Sequence, residues 1–93
     1  MTIEPNTVLQ HTPWCTIRPQ KGGSVLYNSR TDELHLVPPT GVLAFELCDG
    51  LTSVSEITEL LAQSLRVSAS AVSGPLNEYF EQLLTRGALE VAS

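Results

Sequence analysis

Four side chains in this 93-residue chain are of types that hold metals: His11, Cys15, His35 and Cys48. Zinc sites usually draw their ligands from short, regular pairs of cysteine and histidine. Here the cysteines stand 33 positions apart with no CxxC, so both read as reduced apolar residues rather than ligands. His35 could act as a general base, but it falls in a strand-like run with no spaced nucleophile, and it reads as a structural or surface histidine. Glu56 and Glu59 are the carboxylates of a solvated helix face. A glycine-rich phosphate loop, HExxH, GxSxG and the Asp-Ser-Leu of a phosphopantetheine carrier are all missing from the sequence. The reading is of a non-catalytic protein that needs no metal and no cofactor.

Composition narrows the alternatives. Apolar residues make up 42% of the chain and charged residues 16%, the balance of a small globular domain with one core. The longest apolar runs are four or five residues, far short of a membrane span. Met1–Pro13 has neither a basic start nor an apolar stretch of secretory type, so a cytoplasmic location is expected. The net charge of −5 is unevenly placed: residues 1–45 hold three acids and three bases, whereas residues 46–93 hold seven acids and two bases. A surface that displaces counterions from a phosphate backbone needs the opposite sign, so nucleic acid is not an expected partner.

The elements that would position any site follow from spacing. Residues 1–12 are polar with Pro5 and predict a flexible arm, leaving residues 13–93 as the domain. Trp14–Arg18, Val25–Tyr27 and Glu33–Val37 mix β-branched, aromatic and leucine residues and predict three strands. Lys21–Gly23 and Asn28–Asp32 supply the turns between them. After Pro38 and Pro39, Thr40 is placed to cap a short helix that Asp49-Gly50 stops. Ser53 and Glu56 have capping-box spacing at the head of a second helix, with Val54, Ile57, Leu60, Leu61 and Leu65 as its apolar stripe. Ser73–Pro75 marks the start of a third helix, with an earlier start near Ser70 left open. Its stripe is Leu76, Tyr79, Phe80, Leu83 and Leu84, and Leu89 and Val91 form a short apolar tail. The order predicts an α+β, winged-helix-like domain, a three-stranded antiparallel meander followed by three helices.

The same runs resemble the PqqD family, small peptide chaperones also called RiPP recognition elements. The strand pair Val25–Tyr27 and Leu34–Leu36 and the proline step into a short helix carry the first part of the likeness. Leu47–Gly50 followed by Thr52–Ile57 is similar to the family's L-x-D-G-x-x-T-V-x-E-I run, and Phe80–Leu89 to its closing F-L-x-x-L-x-x-x-G-L. The likeness covers about Trp14–Leu89. Two departures stand out: Val37-Pro38-Pro39 replaces an asparagine-containing step, and Gly74-Pro75 falls in the third helix. The resemblance implies a protein that binds the leader of a ribosomal precursor peptide and presents it to a modifying enzyme, commonly a radical SAM maturase. It implies a leader lying antiparallel along the third strand, on Glu33, Leu34, His35, Leu36 and Val37, and against the third helix. Candidate contacts there are Tyr79, Leu83 and Arg86 on one flank of the stripe and Phe80 toward its middle, with both flanks open. A winged-helix transcriptional regulator or other regulatory interaction domain is the alternative; a DNA-binding regulator needs a basic recognition helix, and these helices carry Glu56, Glu59, Glu78 and Glu81.

Overall fold

A computed structural model describes residues 3–21 and 23–92. Met1 and Thr2 of the expected arm, Gly22 of the expected turn and Ser93 of the expected domain lie outside the described residues. The elements run β1 (Val8–His11), β2 (Cys15–Gln20), β3 (Gly23–Asn28), β4 (Glu33–Val37), α1 (Pro39–Glu46), β5 (Asp49–Ser53), α2 (Val54–Leu65), α3 (Ala69–Thr85) and β6 (Leu89–Val91). They form the expected antiparallel α+β arrangement with three helices. The expected meander is one of two sheets, β2-β3-β4; the other has the order β5-β1-β6.

That second sheet corrects the reading of residues 1–12 as a flexible arm. Leu9 is fully buried, and β1 pairs antiparallel with both β5 and β6. Its partners come from distant parts of the chain, such as Leu9 opposite Val91, so no local pattern betrays the strand. The tail is likewise the strand β6, and Gly50, at φ +82°, is the second residue of the unforeseen β5.

The helices follow local chemistry closely, with three corrections. Ser53 and Glu56 close the capping box of α2: the Glu56 amide donates to Ser53 Oγ, and the Ser53 amide donates to Glu56 Oε1, each at 3.2 Å. Within α2 the buried stripe is Val54, Ile57, Leu61 and Ala62, whereas Leu60 and Leu65 are nearly half exposed. At about 100° per residue, Leu60 points well off the line through Ile57 and Leu61. The N-cap of α1 is Pro38 rather than Thr40, and Pro39 sits at the first helical position, where a missing N–H costs nothing. Helix α3 begins at Ala69, one residue before the earlier alternative, and runs through Pro75. Proline there leaves the Ala71 carbonyl without its helical donor, a loss softened because Ala71, Gly74 and Pro75 all face solvent.

Leu9, Leu26, Cys48, Ile57, Phe80 and Leu83 form the fully buried centre of the core. A polar hub fixes the end of α3 against the meander. Trp14 Nε1 and Thr12 Oγ1 both donate to the Gly87 carbonyl, at 2.8 and 2.7 Å. The buried Asn28 donates through Nδ2 to the Arg86 carbonyl at 3.1 Å, and its Oδ1 accepts from the amides of Arg30 and Thr31. One side chain therefore ties the β3–β4 turn to the C-terminal end of α3.

Candidate functional site

Strand β4 pairs with β3 from Glu33 opposite Asn28 to Val37 opposite Ser24, and its other edge is unpaired among the described residues. Such an edge offers a row of free amides and carbonyls to an added strand. Strand alternation divides its side chains. Val37 is buried and His35 half-buried on the inner face, while Leu34 is 63% and Leu36 88% exposed on the outer face. Glu33 is exposed at the start of the strand.

Helix α3 brings Tyr79 to the far end of this edge. A Cβ built on Gly41 would lie 2.8 Å from Tyr79 Oη and 3.0 Å from Val37 Cγ1, so the phenol lies over the first turn of α1 beside the end of β4. Only the bare backbone of Gly41 leaves room for it. The half-buried phenol has its pKa raised, chiefly by burial, with the Arg86 charge acting the other way and Cys48 adding to the rise. It therefore stays neutral at physiological pH, able to donate and to accept. Its hydroxyl has no hydrogen-bond partner among the described residues.

Beyond Val37 and Tyr79 an apolar cavity of about 360 Å³ opens between the three helices. Its walls include Pro38, Gly41, Leu65, Val72, Pro75 and Tyr79. Leu65, off the core stripe of α2, thus faces this space. At the other end of the edge Arg86 is exposed at the C-cap of α3, and the bond from Asn28 holds its backbone near the start of β4.

The structure thus brings together Val37 and Tyr79, with Arg86 along the same flank of α3. It corrects two of the candidate contacts. Phe80 is fully buried and Leu83 1% exposed, because the stripe through Val72, Leu76, Phe80 and Leu83 faces the core. Neither side chain is presented at the surface, whereas the half-buried Tyr79 borders the cavity. Sequence reasoning missed Gly41 and Asn28. A glycine in the first turn of a helix was a usable signal for the first, whereas nothing in spacing marks Asn28 apart from any turn asparagine.

The residues with metal-binding side chains have other surroundings. Cys15 and Cys48 are buried free thiols, and burial, reinforced by Asp49, pushes the Cys48 thiol up to about 12. His11 stacks on Phe45 with ring centroids 4.0 Å apart and donates to the Phe45 carbonyl. No cluster of three or more histidine, cysteine or acidic side chains suited to a metal occurs among the described residues. No helix among them is long and apolar enough to cross a membrane.

A free sheet edge beside a helix-walled apolar groove, on an antiparallel α+β frame, defines the class of the domain. The chain belongs to the family described as Coenzyme PQQ synthesis protein D (PqqD), whose model matches residues 23–89. Among solved structures it is similar to a lasso peptide synthetase B1 complexed with the leader peptide, with a TM-score of 0.77. That match covers 89% of this chain and 98% of the other at 16% identity, so the likeness is one of fold. No curated protein matches the sequence.

Proposed function

We propose that this protein is a non-catalytic recognition element that binds the leader of a ribosomal precursor peptide by adding it as a strand to β4. The observation that carries the reading is the unpaired edge of Glu33–Val37 ending at Tyr79 and an apolar cavity. Main-chain bonds to such an edge give affinity that tolerates many sequences, and flanking pockets add specificity. Membership of the PqqD family and the leader named in the similar lasso peptide synthetase B1 structure support it. A leader antiparallel to β4 runs with its N-terminal side past Val37, where the cavity takes an apolar side chain and the Tyr79 hydroxyl a polar group. Its C-terminal side leaves past Glu33 and Arg86 and delivers the rest of the precursor to a separate modifying enzyme, of radical SAM type. The excess of acids after residue 45 speaks against a DNA-binding alternative.

Isothermal titration against the leader of the precursor encoded beside this gene tests the reading, with no metal or nucleotide added. Saturable one-to-one binding supports it; no heat and no competition at high micromolar peptide overturns it.

A further inference from the structure

Leu34 and Leu36 lie outside the hydrophobic core. Both lie on the outer face of the β2-β3-β4 sheet, where Leu36 stands opposite Val25 and Leu34 opposite Tyr27. The patch is apolar across two strands and has a polar rim. The Tyr27 hydroxyl donates to Asp32 at 2.8 Å, and the Arg18 guanidinium lies 4.7 Å from the Tyr27 ring centroid. Natural sheets usually guard an open edge with charges, proline or a covering element. The middle of β4 carries instead two of the most exposed leucines in the molecule, on either side of His35.

We propose that Leu34 and Leu36 read the bound peptide from the outer face of the sheet, so that the ligand strand must be apolar on both of its faces. The inference rests on the strand-addition reading and deepens it. Strand geometry dictates the occupant. A chain paired along β4 sets alternate side chains toward Tyr79 and the cavity, and the others outward. The outward ones fall beside Leu34 and Leu36, with Cβ atoms about 4.5–5.5 Å from those directly opposite. Apolar groups there cover the two leucines; polar groups leave them in water. The peptide class selected is thus a strand with apolar residues in both phases of its alternation, two of them i and i+2 on the outward side.

The test uses the full chain and a displayed library of random 16-residue peptides, panned in parallel on the natural sequence and on a Leu34→Thr/Leu36→Thr variant. Both positions are exposed and threonine keeps the strand preference, so circular dichroism and melting should match between the two proteins. The natural chain is expected to enrich peptides with apolar residues in both phases. The variant should lose the preference in one phase and keep it in the other, with affinity for the best natural-chain binders falling roughly threefold to thirtyfold. An identical profile and affinity on both proteins overturns the proposal while leaving strand addition intact. A natural chain that enriches peptides with no apolar preference in either phase overturns strand addition itself. If the leucines instead serve pairing of two copies, the natural chain sediments as a dimer, the variant as a monomer, and peptide selection is unchanged; that result also overturns the proposal.

Discussion

Replacing Gly41 by alanine tests the geometry on which the groove depends. Two effects of opposite sign compete. In a helix interior, alanine is favoured over glycine by up to about 1 kcal/mol. Here its methyl group would stand 2.8 Å from Tyr79 Oη, 3.0 Å from Val37 Cγ1 and 3.1 Å from Tyr79 Cζ. Overpacking of this kind costs about 1–3 kcal/mol, so Gly41→Ala should destabilise by roughly 0–2 kcal/mol net. For a domain of this size each kcal/mol lowers Tm by about 4–8 °C. Tyr79→Phe removes the closest of the three contacts and, because its hydroxyl has no partner, should cost little by itself. In that background Gly41→Ala should improve by about 0.5–1 kcal/mol relative to its effect in the natural chain, a coupling that a double-mutant cycle resolves. Thermal and urea melts on the four proteins supply the cycle. Equal, fully stabilising effects of Gly41→Ala in both backgrounds would show that Tyr79 does not lie over α1. The same substitution should also weaken leader binding, because the displaced phenol moves into the groove.

Further expectations follow from burial and hydrogen bonding. Leu61→Ala, in the core, should cost about 2–5 kcal/mol in urea melts, and Leu60→Ala well under half of that. Tyr79→Ala should weaken leader affinity more than it lowers Tm; a large melting loss with normal binding would assign Tyr79 to the core. Asn28→Ala leaves the Arg86 carbonyl and two turn amides without their partner and should cost about 1–3 kcal/mol, with leader binding reduced as α3 loosens from β4. Bonds from the amides of Leu51 and Thr52 hold the Asp49 carboxyl below its ordinary value. The advantage of the natural chain over Asp49→Asn should therefore be full above about pH 4 and fade as pH falls through the depressed native pKa. Thiol titration should find Cys15 and Cys48 unreactive until denaturant is added, Cys48 being both buried and held protonated.

The parts of the fold legible in the sequence are those with local causes. The capping box at Ser53 and Glu56, the turn residues Asn28–Asp32 and the strand run Glu33–Val37 each state their structure within a few positions. Strands β1, β5 and β6 are short and find their partners across most of the chain, so their sequences look like loop and tail. The stripe of α3 was legible as a set, but which member met the core depended on where β4 and α1 stood. Tyr79 and Phe80 are neighbours in sequence, yet one lies over Gly41 and the other is fully enclosed. Leu65 shows the same limit: its spacing puts it on the apolar stripe of α2, and it lines the cavity because α1 and the start of α3 leave a space there.

Amide hydrogen exchange on the chain, free and saturated with leader peptide, tests strand addition to β4 most directly. The outward-facing amides of Glu33–Val37 are open to solvent in the free protein and should become strongly protected when the leader pairs with them. Val54–Leu65 and the rival edges Cys15–Gln20, Asp49–Ser53 and Leu89–Val91 should change little. Protection that appears on β2, on β5, on β6 or along α2, with β4 exchanging as freely as before, would contradict the account.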